Sequence, residues 1–361
     1  MRRTLVRNPK GARDWLPDEI IKQEFVRKSL VKVFELWGYQ PIQTPILVNL
    51  DTVFCGGNKL SDSAFKLIGN QGELLALRAD LTTPIARVTA ERLRNSKFPL
   101  RFYYVGKVFR YHARKTTNER ELYQIGIELI GIKEGISDFE CLSIFLDCLK
   151  KLGLKNYSVL VNHAAFWGEL FKCFGDLGCS LYEALSKKDL ILYNKTLLSS
   201  KVSKIEKEFL GSIIHLNGKK EIINNLIFFS RKIKKLKIKN LIIFFQKLVS
   251  LFEENVEIDL SLTSDMEYYT GIYFEAVTPY LGRIIGSGGR YDQLIKRFGF
   301  DKPAIGFSFC LEDLLLSLEN QNKIFPKANL GKALKIGKNL KQSFRKFFVA
   351  HNKNKILGVK Y

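Results

Sequence analysis

Apolar residues recur along this chain with two periods, and the switches between them mark out its elements. Ile20/Ile21, Phe25, Leu30, Val33/Phe34 and Trp37 fall at helical spacing behind Pro17-Asp18-Glu19, so residues 17–37 read as an amphipathic helix that Gly38 ends. Extended segments follow around 39–45, 74–80, 101–111 and 121–131, with helices near 83–95 and 137–151. From about 165 to 250 the pattern is helical. Strands return at 256–262, 271–277 and 282–287, and a buried strand Ala304–Phe309 runs into a helix Leu311–Glu319. Helices and strands mix without regular βαβ alternation, which predicts an α+β fold with an antiparallel sheet. The expected division is a core built from 1–164 and 253–325, a helical module inserted at 165–252, and a basic C-terminal tail at 326–361.

Composition narrows the class. At 361 residues, 46% hydrophobic and 12% aromatic, the chain can build a sizeable core, which excludes a disordered polycation. Its apolar runs, such as Leu241–Phe245, are too short to span a bilayer, and no apolar segment follows Met1-Arg2-Arg3-Thr4-Leu5. A cytoplasmic protein without a membrane partner is expected. The six cysteines form no C-x-x-C pair and the four histidines are scattered, so neither a zinc site, a disulfide framework nor a cofactor is expected.

The net charge of +22 changes meaning once it is located. Residues 201–250 hold twelve Lys/Arg against three Glu, and residues 326–361 hold ten Lys/Arg and no acid, which leaves only +3 on the other 275 residues. Such patches either bind nucleic acid through counterion release or form the solvated faces of a lysine-rich chain. Neither interleaves its lysines with the aromatics and glycines of a single-strand groove, and nucleic acid is not the expected partner.

Four segments carry candidate chemistry. Gly286-Ser287-Gly288-Gly289-Arg290-Tyr291-Asp292 reads as a glycine-rich turn between a strand and a helix; it is neither a Walker loop nor a dinucleotide fingerprint. Leu77-Arg78-Ala79-Asp80-Leu81-Thr82-Thr83-Pro84 places an acid and two hydroxyls where a strand enters a helix, and Thr82 or Thr83 is a candidate cap. In Tyr123–Gly131, Gln124, Gly126 and Glu128 alternate with Ile125, Ile127 and Leu129, so on a strand they share a polar face that is either solvent-facing or pocket-lining. Asp265-Met266-Glu267-Tyr268-Tyr269-Thr270-Gly271 adds a tyrosine pair, either core or rim.

In order, these segments resemble histidyl-tRNA synthetase, a class II aminoacyl-tRNA synthetase, from about Lys10 to Leu314. The resemblance rests on Trp37-Gly38-Tyr39 with Thr44-Pro45, Leu77-Arg78 with Asp80 and Thr82, Val108-Phe109-Arg110, Gln124-x-Gly126-x-Glu128, Tyr268-Tyr269-Thr270-Gly271, and Gly288–Asp292 with Pro303-Ala304-Ile305-Gly306-Phe307. It implies a class II synthetase-like antiparallel sheet flanked by helices, with an inserted helical module. It also implies a histidine pocket in which Asp80, Thr82 and Gln124 surround the α-ammonium group while Glu128, Tyr268 and Tyr269 face the imidazole. Carboxylates and amide oxygens accept from an ammonium, and Glu with Tyr can satisfy both imidazole nitrogens. Arg110, Gly288 and Gly289 are additional pocket or phosphate-facing candidates.

The activation machinery departs from the family pattern. The acid expected two residues after Arg110 is His112, the histidine-specific catalytic arginine is Ser264, and the arginine of the third motif is Asp313. Loss of a transition-state arginine typically costs about 10³–10⁵ in rate, and Asp313 is expected to add repulsion towards triphosphate. About 40 residues follow the core where an active synthetase of the family carries an anticodon-binding domain of about a hundred, so no reader of tRNA identity is expected. These departures match the regulatory-subunit family of ATP phosphoribosyltransferase, which the chain resembles closely, including Arg78-Ala79-Asp80-Leu81-Thr82 and Asp313.

That resemblance implies a regulatory subunit with no catalytic residues of its own, a dimer within a hetero-oligomer whose partner is a short-form catalytic subunit. The complex makes phosphoribosyl-ATP, the first step of histidine biosynthesis, and L-histidine acts on it as feedback effector. An active histidyl-tRNA synthetase-like enzyme and an RNA-binding paralogue are the alternative readings.

Overall fold

Leu100–Phe109 and Glu121–Ile130 are the longest strands among the described residues, and they pair antiparallel residue for residue as the second and third strands of the main sheet. The computed structural model describes residues 7–111, 119–252, 254–264 and 266–325. They fall into two units. In the smaller, residues 15–25 with Ile324 and Phe325, the Phe25 ring meets Phe325 edge-on at 5.8 Å. The larger comprises residues 7–14 and 26–323 and contains all the strands.

Helix α1 (Pro17–Leu36) leads to β1 (Gln40–Pro41), β2 (Leu47–Asn49), α2 (Leu50–Phe54), α3 (Asn58–Ser63), β3 (Lys66–Ile68) and β4 (Leu74–Leu77). Next come α4 (Thr82–Arg92), β5 (Leu100–Phe109), β6 (Glu121–Ile130), α5 (Ile136–Leu152) and β7 (Ser158–His163). Helices α6 (Ala164–Phe174), α7 (Asp176–Ser186), α8 (Leu190–Ser199) and α9 (Lys204–Ser212) precede β8 (Asn217–Gly218), α10 (Lys220–Lys232) and α11 (Lys239–Leu251). The chain then returns through β9 (Val256–Asp259), β10 (Ile272–Val277), β11 (Ile284–Arg290), β12 (Ala304–Cys310) and α12 (Leu311–Asn320).

Nine strands form one sheet in the order β1-β5-β6-β12-β11-β10-β7-β9-β8, and β2-β4-β3 form a second. The large sheet is antiparallel except for β1 against β5 and β7 against β9, which lie towards its two ends. Along β6, apolar residues alternate with polar residues and glycine from Gln124 to Leu129. Ile125, Ile127 and Leu129 are fully buried, and they share a face with Phe307 and Phe309 through the β6–β12 register. Helix α5 covers that face: the Phe145 ring stacks on Phe309 at 4.6 Å and meets Phe274 and Phe307 at 5.0 and 5.1 Å. Cys141 and Cys148, seven apart on α5, are buried free thiols. The opposite face of the same strands is polar.

Several expectations are corrected. The glycine-rich run is not a turn, because Gly286–Arg290 lie inside β11, hydrogen-bonded to β10 on one side and β12 on the other. The segment 39–45 contributes only two strand residues; Pro41 has no N–H to continue a ladder. Strand β4 falls within the expected extended segment 74–80, whereas β2, β3 and β7 are additional elements, short enough that periodicity does not separate them from loops. In the helical region, Arg231, Lys232, Lys234, Lys235, Lys237 and Lys239 are all exposed around buried Ile233, Leu236 and Ile238. The basic tail lies outside the described residues.

Candidate functional site

The site is built on the polar face of the large sheet. Register places Gly306 beside Glu128 and Ser308 beside Gly126 on β12, with Tyr104 of β5 on the other flank of Gly126. Glu128 is 1% exposed. The Thr82 hydroxyl donates to its Oε1 at 2.7 Å, and the Tyr291 hydroxyl donates to its Oε2. Glycine at 306 is a steric requirement, because a Cβ there would lie 1.9 Å from Glu128 Oε2. Burial pushes the Glu128 carboxyl up to about 8, against the opposing pull of the Tyr291 and Thr82 hydrogen bonds.

Asp80 approaches from the start of α4. Its Oδ2 accepts from the Thr83 backbone N–H at 3.0 Å and from the Thr83 hydroxyl at 2.7 Å, so the acid caps the helix rather than Thr82 or Thr83. Burial raises the Asp80 carboxyl, while Thr83 and then Arg110 and Arg78 draw it down. The neighbouring Arg78 is structural. Its Nε donates to Lys107 O at 2.8 Å and its Nη1 to Thr44 O at 2.5 Å, which ties the Thr44-Pro45 segment to β5.

The tyrosine pair separates into two environments. Tyr268 is buried, with its ring edge-on to Tyr291 at 5.8 Å and to Tyr269 at 5.4 Å. Tyr269 is half-buried, stacks on Tyr273 at 6.2 Å and lines a cavity of about 400 Å³. Gln124, Arg110, Ser264, Lys188 and Arg283 line the same cavity. Asp80, Glu128 and Tyr268 are thus buried together, with half-buried Thr82 on Glu128, while Gln124, Tyr269 and Arg110 stand on the cavity wall. Space beside the two glycines is occupied: a Cβ on Gly288 would lie 2.5 Å from Phe307 Cβ, and one on Gly289 would lie 2.9 Å from Tyr269 Cε1. Arg110 donates from Nε to Ala79 O at 3.1 Å.

At the family's arginine positions the chain is rebuilt. The Ser264 hydroxyl accepts from Met266 N at 3.0 Å and donates to Met266 O at 3.1 Å, a local turn in place of a long cation. Asp313 is 1% exposed and paired with Arg283 Nη2 at 2.6 Å. Its charge is therefore neutralised within the fold, and the expected repulsion towards triphosphate is corrected on that ground. His112 and Asp265 lie outside the described residues.

Two residues of the glycine-rich run matter more than its glycines. Tyr291 is the second donor to Glu128; its parity with Gly289 and Ser287 on β11 was the available signal for the polar face. Arg290 points to the α5 side, fully buried. It binds Asp138 at 2.7 Å, Ser137 Oγ at 2.6 Å and Ile132 O at 3.1 Å, which fixes the start of α5 to β11. Among the described residues no His/Cys/Asp/Glu group of three or more could hold a metal ion, and no helix is long and apolar enough to cross a membrane.

The nine-stranded sheet with its polar, carboxylate-bearing face defines a class II synthetase-like domain, and a family model described as histidyl-tRNA synthetase matches residues 11–314. A Nostoc histidyl-tRNA synthetase has the same fold at TM-score 0.74 and 20% identity, covering 98% of this chain and 90% of that one. Closer in sequence is an ATP phosphoribosyltransferase regulatory subunit of Halothermothrix orenii, 35% identical over 331 residues, 90% of this chain and 78% of the relative. The Bacillus subtilis regulatory subunit is 33% identical over 87% of this chain and 82% of its own length. A Bacillus halodurans structure described as an ATP phosphoribosyltransferase regulatory subunit/histidyl-tRNA synthetase superposes with TM-score 0.80 at 30% identity, covering 88% and 84% of the two chains. The chain belongs to the histidyl-tRNA synthetase-like family of ATP phosphoribosyltransferase regulatory subunits.

Proposed function

We propose that this protein is a non-catalytic regulatory subunit of ATP phosphoribosyltransferase that acts in the cytoplasm, with the reaction carried out by a separate short-form catalytic subunit, and that L-histidine is its effector. The observation that carries the reading is the Glu128 cluster: a buried carboxylate between Thr82 and Tyr291, with Asp80 and the tyrosine pair beside it. Such a set can satisfy a ligand that presents both a ring donor and acceptor and a cationic amine. Ser264 and the paired Asp313 support a binding rather than an activating role, since neither supplies the positive charge that adenylate formation requires.

Feedback would be a coupling free energy between this pocket and the partner's active site. Self-association is supported by the second sheet, where Leu47, Leu67, Ile68 and Leu74 are exposed. The helices α6–α11 are proposed as the inserted module.

Mixing the protein with a short catalytic subunit should raise phosphoribosyl-ATP formation and make it histidine-sensitive; no gain on mixing overturns the regulatory reading. Calorimetry on the protein alone should show L-histidine binding, weakened by more than about 1 kcal/mol in Glu128→Ala or Tyr269→Ala. Unchanged affinity in both variants would remove the pocket assignment.

A further inference from the structure

Glu267 immediately precedes the tyrosine pair and is exposed, yet its carboxylate reaches an element about two hundred residues earlier in the chain. Its Oε2 accepts from Asn58 N at 3.2 Å and its Oε1 from Lys59 N at 3.3 Å, one oxygen for each of two orphan N–H groups in the first turn of α3. The preceding residue is fitted to this contact. Gly57 has φ +108, a conformation that favours glycine, and a Cβ there would lie 2.8 Å from Glu267 Oε2, so a larger residue would displace the docked carboxylate.

The turn that receives Glu267 also touches the ligand cluster. A Cβ on Gly56 would lie 2.8 Å from the Thr83 hydroxyl, the group that holds Asp80, and Cys55 O accepts from Arg297 Nη1 at 2.7 Å. The far end of the tyrosine loop is fixed separately: Thr270 N donates to Arg290 O at 2.8 Å, and Asp292 N donates to Thr270 Oγ1 at 3.0 Å. Tyr268 and Tyr269 therefore sit between two anchors. One is bound into the buried strand β11; the other is an exposed carboxylate whose hydrogen bonds compete with water. The second anchor is the one weak enough to open.

We propose that Glu267 is a positioning residue: docked on the start of α3, it holds the tyrosine pair against the Glu128 cluster and makes ligand affinity depend on the placement of the α2–α3 segment. The effect on histidine rests on the reading proposed above, whereas the latch itself does not.

Hydrogen exchange of the full-length protein without ligand tests the latch. Glu267→Ala should speed exchange about tenfold, the size of one lost hydrogen bond, both in residues 55–63 and in residues 266–272. Glu267→Asp, one methylene shorter, should behave like alanine, and Glu267→Gln, which keeps one acceptor oxygen, should recover part of the protection. Exchange that rises in only one of the two segments, or in neither, overturns the latch. Calorimetry with L-histidine then tests positioning: affinity should fall about threefold to tenfold in Glu267→Ala and recover partly in Glu267→Gln. Coupled exchange with unchanged affinity overturns the positioning role. Coupled exchange in a wild-type protein that binds no histidine leaves the latch standing and removes the histidine reading instead.

Discussion

The Tyr291 hydroxyl donates to Glu128 Oε2 across 163 residues of sequence, while Thr82 holds the other carboxylate oxygen. Tyr291→Phe keeps the ring against Tyr268 and removes only the donor. A buried carboxylate left short of one partner typically costs about 1–3 kcal/mol. Urea denaturation should therefore show a lower midpoint with an unchanged slope. A midpoint equal to wild type would mean that Glu128 finds another donor and that the pair is not what orders the cluster.

Titration of Glu128 gives the protein a pH dependence of defined sign. Burial raises its carboxyl from 4.5 to about 8, so between those values the folded protein holds a proton that the unfolded chain has released. Stability must then fall as pH rises through this window, by up to about 1.4 kcal/mol per unit, and level off above it. Glu312, raised by burial to about 7, contributes a parallel fall that ends earlier. Between 7 and 8 Glu128 carries the larger share of the fall. Denaturation midpoints of wild type should decline there, and those of Glu128→Gln should decline less. A slope of equal size in both proteins would assign it to another group.

Arg283 and Asp313 form a pair that is worth more for what its loss exposes than for what it adds. Arg283→Leu removes the cation paired with Asp313, 1% exposed, and breaking such a buried pair typically costs about 3–5 kcal/mol. The double variant Arg283→Leu/Asp313→Leu removes both charges and should regain most of that loss. Thermal melts of wild type, Arg283→Leu, Asp313→Leu and the double variant form a double-mutant cycle; a double variant no more stable than Arg283→Leu would show that packing, not stranded charge, sets the cost.

Much of this molecule can be read from local pattern. The alternation Gln124, Gly126, Glu128 against Ile125, Ile127, Leu129 is a period-two signal, and a strand converts it directly into one apolar and one polar face. The same holds for α5 and α12, whose apolar spacing matches their buried residues. The short elements between 46 and 68 escape such reading because three to six residues carry too little periodicity.

Local pattern also left the glycine-rich run ambiguous. Glycines suit a turn as readily as a strand whose neighbours press close, and only the presence of Phe307, Tyr269 and the Glu128 carboxylate around β11 and β12 decides for the strand. Likewise Asp313 along the sequence is only a negative charge, and the fold pairs it with Arg283. Residue types and spacing thus set the strands, the helices and the chemistry available to them. Which carboxylate meets which hydroxyl, and whether a charge faces a ligand or a counter-ion, depends on pairings across 30 to 209 residues, as in Arg283–Asp313, Thr82–Glu128 and Asn58–Glu267. Those partners meet only when the sheet and its helices assemble, because hydrogen bonds and ion pairs act over a few ångströms in space and carry no signature along the chain.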